Sequence, residues 1–149
     1  MSVLSLALWI MTSASSVAVA PQPRDVPSQL PQLQGTWQAE SRVYQGRTEG
    51  AQQLKNLQLV IEGDRFTYHA VDGKQLRGAL EFSGALEEVD TVIVSDSGEA
   101  LRVPNRYRLE GDQLTVARPQ GNAPERPRDF TSPPGSNVRV TVYRRDTGR

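Results

Sequence analysis

The chain has 149 residues, 37% of them hydrophobic, with 17 basic and 17 acidic side chains and no cysteine. The balanced charge argues against a nucleic-acid binder, which carries a basic bias or stripe. The lack of cysteine excludes a disulfide framework, a thiolate metal site and a cysteine nucleophile.

The first charged residue is Arg24. Before it, "VLSLALWIM" (Val3 to Met11) and the small-residue run "TSASSVAVA" have the apolar core and cleavage zone of a secretory signal peptide over residues 1–20. The apolar run is too short to span a membrane as a helix. Pro21 hinders cleavage directly after Ala18-Val19-Ala20, whereas a cut after Ala18 avoids it. The expected location is therefore secreted, periplasmic or in the cell envelope, with no stable membrane span after cleavage. Residues 21–32, "PQPRDVPSQLPQ", hold four prolines and little apolar periodicity, as a tether does.

From Leu33 the pattern has period two, the mark of strands with one buried face. "GTWQAESRV" sets Trp37, Ala39, Ser41 and Val43 on one side. "LQLVI" aligns Leu57, Leu59 and Ile61, and "RFTYHA" aligns Phe66, Tyr68 and Ala70. "LRGALEF" aligns Leu76, Gly78, Leu80 and Phe82, and "TVIVS" offers Val92 and Val94. "NRYRLE" offers Tyr107 and Leu109, and "QLTVA" offers Leu114 and Val116. "VRVTVYR" offers Val138, Val140 and Val142, with Arg144 in phase. Tight turns at Glu62-Gly63-Asp64, Asp72-Gly73 and Glu110-Gly111-Asp112 punctuate these runs. Only "EGAQQLKN" (Glu49 to Asn56) reads as helix, two turns after the first strand. The expected fold is all-β: an antiparallel eight-stranded up-and-down barrel over residues 33–146, with a tail at 147–149. Between the last two strands lies a crossing with Pro119, Pro124, Pro127, Pro133 and Pro134, half of the ten prolines. Its large apolar residue, Phe130, is expected to be buried and to anchor it.

Gly35-Thr36-Trp37 at the start of this meander, with Arg144 near its end, resembles lipocalins. In those proteins an arginine from the last strand lies across the tryptophan of a G-x-W motif, so the resemblance implies that Arg144 covers Trp37. Over Leu33 to Asp146 the motifs "LQGTWQAES", "IEGDRFTY", "YRLEGDQLTVA" and "ERPRDFTSPPGS" resemble a family of small lipocalin-like domains of uncharacterised function, abundant in planctomycete bacteria and often exported. Many of its members carry a cysteine just before the proline crossing, where this chain has Val116-Ala117, so no thiol role carries over. The resemblance transfers no catalytic residues.

Chemistry sought in the residues is sparse. His69 is the only histidine, and its phase puts it on the outer face. No G-x-S-x-G elbow is present to build a triad on, and a zinc site needs more His or Cys than the chain has. Asp90, Asp96 and Glu99 lack calcium-loop spacing, and the pairs Glu62/Asp64 and Glu110/Asp112 belong to turns. No metal, cofactor or catalytic role is expected. Arg102, Arg106, Arg108, Arg118, Arg126 and Arg128 form a loose basic group interleaved with acids, which reads as a solvated face.

What remains is the barrel interior. Ala39, Ser41 and Gly78 are small residues on the expected inner faces, facing large ones such as Phe82, while Tyr68 and Tyr107 add hydroxyls that need partners if buried. The same set describes either of two things. One is a ligand-binding module for a small apolar or amphipathic molecule; the other is a filled core in a structural domain that meets an envelope protein. A lumen above roughly 300 Å³ favours the first. A monomer is expected.

Overall fold

The computed structural model describes residues 29–121 and 124–148. The signal segment at 1–20, and residues 21–28 of the tether, lie outside them. One helical turn, α1 (Leu30–Leu33), precedes nine strands: β1 (Gly35–Tyr44), β2 (Arg47–Glu49), β3 (Gln58–Glu62), β4 (Arg65–His69), β5 (Gln75–Phe82), β6 (Glu88–Val94), β7 (Ala100–Glu110), β8 (Gln113–Pro119) and β9 (Val138–Arg145). From β3 to β9 each strand pairs antiparallel with the next, β3 pairs with β1, and β9 returns to β1. The short β2 pairs only with Arg42 to Tyr44 at the end of β1. The eight strands β1 and β3–β9 thus make a closed, up-and-down barrel of the lipocalin-like kind. Closure leaves no long unpaired edge. The hairpin turns fall where expected: Gly63 and Gly111 take φ of 62° and 59°, a region open to glycine at little cost.

The helix is displaced from its expected place. Residues 51–56 form successive turns after β2, and α1 lies before β1, inside the segment read as a tether. The reason is tertiary. Leu54 and Leu57 are both fully buried, and Gln38 Nε2 donates to the Leu54 and Leu57 carbonyls at 3.1 and 3.2 Å, which holds the turns against β1. Meanwhile Leu30 and Leu33 pack on the core, so α1 closes one barrel end. Trp37 Nε1 donates to Leu33 O at 2.9 Å, and Gln34 bridges to Gly63 in both directions.

The tryptophan is buried as expected, with no exposure, but its cation is Arg145. The Arg145 guanidinium lies 4.3 Å from the indole ring centre and donates to Gln34 O and Gln32 O at 2.7 and 2.6 Å. Arg144 points outward to Glu40 instead. Residues directly opposite in an antiparallel pair share a face, and Trp37 is opposite Arg145 while Ala39 is opposite Tyr143. The inner face of β9 is therefore Arg139, Thr141, Tyr143 and Arg145, and Val138, Val140 and Val142 face outward. A bulge between Ala39 and Ser41 then switches the phase of β1. Ser41, expected inside, pairs with outward Val142, and Arg42 joins Thr141 on the inner side. In β6 the inner face is Val89 and Thr91, and Val94 is 63% exposed.

The proline crossing clasps the outer face of the barrel through polar groups. Arg126 reaches Asn105 O and Asp90 Oδ1 at 2.5 and 2.6 Å, and Arg106 Nε donates to Pro127 O at 2.7 Å. Ser132, buried, accepts from Gln45 N at 2.8 Å and donates to Val138 O at 2.5 Å. Phe130 is only half-buried and lies under the Arg108 guanidinium, 4.5 Å from its ring centre. The expectation of a buried Phe130 anchor is thus corrected: ion pairs and backbone bonds hold the segment, and Pro127 supplies its buried apolar surface. This cover accounts for the burial of the outward pair Ala117 and Val140.

Candidate functional site

The barrel is not filled. A cavity of about 260 Å³ runs inside it, lined at the α1 end by Leu33, Leu59, Ile61, Phe66, Leu80 and Leu114. Polar groups are interspersed with these, Tyr143 directly opposite Leu114 and Thr91 opposite Leu80, with Asn105, Tyr107 and Thr141 also in the lining, and Tyr68, Arg118, Gln120 and Arg139 lie toward the opposite end. Each of these side chains arrives by strand alternation. Arg118 follows Leu114 and Val116 in phase on β8, and Arg139 precedes Thr141 and Tyr143 on β9. The two arginines are direct cross-strand partners.

Of the residues expected to line the lumen, Tyr68 and Tyr107 do so. Phe82 packs edge-on against Tyr107, with ring centres 6.0 Å apart, so it supports the wall. Ala39 is buried in the core cluster behind it. Ser41 is turned away by the bulge. Gly78 is small for a different reason than space. A methyl group there would meet the Val92 carbonyl and lie 2.7 Å from Phe66 Cε1, so the Phe66 ring already fills that place. His69 sits opposite Gln58 at the end of β4, on the side away from Tyr68.

The electrostatics of the polar end set it apart from the rest of the molecule. On the outer face Arg102, Arg106, Arg108 and Arg126 all have carboxylate partners, among them Asp90, Glu87 and Glu88. Inside, Arg42 is paired with Glu49 at 2.5 Å, which raises its proton affinity and lowers that of Glu49. Arg118 and Arg139 are ion-paired to no carboxylate among the described residues. Burial depresses the Arg118 guanidinium below the usual arginine range, yet arginine keeps its charge at any ordinary pH. Arg139 Nε is buried with no hydrogen-bond partner, and its guanidinium lies 5.3 Å from the Tyr44 ring centre. Asn105 Nδ2 donates to Thr91 Oγ1 and Val103 O, both at 3.1 Å, while its buried Oδ1 receives no donor. Desolvation raises the Tyr143 phenol well above the usual tyrosine range, and burial with nearby Glu87 raises Tyr107. Both phenols are neutral donors at physiological pH.

Sequence alternation missed both lumen arginines. Arg118 reads as part of a solvated basic face by composition, although it continues the Leu114, Val116 phase, and that in-phase position is the available signal. Among the described residues no group of three His, Cys, Asp or Glu could hold a metal ion. An amphipathic lumen inside a lipocalin-like barrel defines the class of the molecule by fold and cavity alone. No family model, curated protein or solved structure matches the chain.

Proposed function

We propose that this protein is an exported, non-catalytic binding module that holds one small amphipathic molecule in its barrel. The observation that carries the reading is the lumen, lined by leucines toward α1 and furnished with buried polar atoms that have no partner in its wall. Buried polar atoms are normally hydrogen-bonded, so Asn105 Oδ1 and Arg139 Nε have capacity for a polar head group. The volume of about 260 Å³ falls short of the roughly 300 Å³ expected of a pocket for drug-sized ligands, so the occupant must be smaller than that class. The lumen exceeds the cavity of about 150 Å³ that suffices for benzene. A ligand with one ring or a short chain suits it.

Native mass spectrometry of protein purified from its own host tests this: a small adduct, released on denaturation, is expected. Val116→Phe, which fills the lumen from its wall, should remove the adduct while leaving the barrel folded. A bare protein mass, together with no thermal stabilisation by 1-octanol, would return the barrel to a structural or partner-docking role.

A further inference from the structure

We infer that the molecule held in the lumen is a small monocarboxylate, with its acid group on Arg118 and Arg139 and its apolar part toward Leu59, Ile61 and Leu114. This rests on the ligand-binding reading above and adds the chemical class. Arg118 and Arg139 are direct cross-strand partners at one end of the cavity, so both guanidinium groups address the same space. Neither is ion-paired among the described residues, and Arg139 Nε is buried without an acceptor. A cation withdrawn from water without a partner is unfavourable, and an anion placed beside it relieves that cost. The planar guanidinium fork matches a carboxylate with two parallel bonds, which an ammonium or a hydroxyl cannot offer or accept in the same way. Near Arg118, Tyr143 stays protonated and can donate a further hydrogen bond. Glu49 is paired with Arg42 and feels the charge of Arg139, but it makes no direct contact with either lumen arginine. Toward α1 the lining carries Leu33, Ile61, Phe66 and Leu114 beside the neutral phenols of Tyr107 and Tyr143 and no charged side chain, which sets the ligand's direction.

The test compares sodium octanoate, 1-octanol and octylamine on the purified protein by calorimetric titration, with Arg118→Met and Arg139→Met as variants of similar side-chain length. Octanoate should bind at least about tenfold more tightly than 1-octanol, because charge-assisted bonds to arginine exceed neutral ones. Octylamine should bind least. Each Met variant should weaken octanoate by about tenfold or more and weaken 1-octanol, whose neutral hydroxyl gains less from a guanidinium, by much less. Retained 1-octanol binding also reports that the variant barrel is folded. If octanoate and 1-octanol bind equally, and the variants change neither, the carboxylate assignment is overturned while the binding-module reading stands. If none of the three compounds binds the parent protein, both readings fall.

Discussion

Replacing Arg145 should damage the barrel far more than replacing Arg144, although the two are neighbours of identical chemistry. Arg145 covers the Trp37 ring at 4.3 Å, ties down the α1 segment through Gln32 O and Gln34 O, and meets Asp112 at 3.1 Å. The stacked cation is worth about 0.5–1 kcal/mol at a partly exposed site. Each charge-assisted bond to a backbone carbonyl adds about 1.5 kcal/mol at the low end of its range. These terms share one side chain and are not additive, so Arg145→Ala should cost about 2–3 kcal/mol. For a domain of this size that lowers Tm by roughly 8–15 °C. Arg144 makes one exposed pair with Glu40, and such pairs contribute little, so Arg144→Ala should leave the midpoint nearly unchanged. Urea unfolding followed by tryptophan emission suits the test, because the chain has two tryptophans and the other, Trp9, lies in the expected signal segment. Trp37→Ala sets the upper bound at about 3–5 kcal/mol, the usual cost of removing a large core aromatic. Equal losses from the two arginine variants, or a larger loss from Arg144→Ala, would refute the closure of this end by Arg145.

The clasp makes a second prediction. Ser132→Ala leaves Gln45 N–H without its hydroxyl partner and should cost about 1–3 kcal/mol, with faster tryptic cleavage after Arg126 or Arg128, whereas Phe130→Ala should have the smaller effect on both readouts. Alkaline titration should unfold the protein: the folded state holds the Tyr143 proton above the ordinary value of 10.0, so stability is intact below pH 10 and falls above it by about 1.4 kcal/mol per pH unit until the folded group itself ionises. Tyr143→Phe should blunt that alkaline loss in a circular-dichroism pH series, and an unchanged profile would place the sensitive group elsewhere. In its native host the mature chain should begin near Val19 or Pro21 outside the cytoplasm, read by N-terminal sequencing, and an intact Met1 on a cytoplasmic protein would contradict export.

The eight barrel strands, their order and the hairpins at Gly63 and Gly111 were legible from period-two alternation, though the short β2 was not, because most strands bury an apolar face against the lumen and leave a polar face in water. Trp37, Phe66, Tyr107 and Leu114 all follow that rule. The rule fails where a strand is covered on both sides. In β9 the outward valines lie on the side that the proline crossing covers, where Val140 is buried, so the apolar side of "VRVTVYRR" is the side away from the lumen. Its polar side, Arg139, Thr141 and Tyr143, lines the cavity. The Glu40 bulge is equally silent in sequence, since a single extra residue leaves composition untouched while reversing the phase of everything after it. The α1 turn was hidden by Pro31, which marks a tether in isolation but is tolerated at the start of a helix.

These failures of alternation fall largely in one region. The bulge turns Arg42 inward, the covered face of β9 turns Arg139 inward, and the phase of β8 carries Arg118 to the same space. A barrel shaped for stability alone would place hydrocarbon at these positions, because replacing buried charge by well-packed apolar groups is commonly neutral or stabilising. Arg118→Met and Arg139→Met should accordingly raise the thermal midpoint of the empty protein while they weaken octanoate. Local rules that point toward a uniform apolar core are broken most often where a site requires it. The opposite end, by contrast, spends its arginine on closure: Arg145 has an indole, two carbonyls and a carboxylate, and so has no capacity left for a ligand. One arginine is thus satisfied at the plugged end, and two without a carboxylate partner among the described residues lie toward the other. That asymmetry is what would give the proposed carboxylate ligand a single orientation.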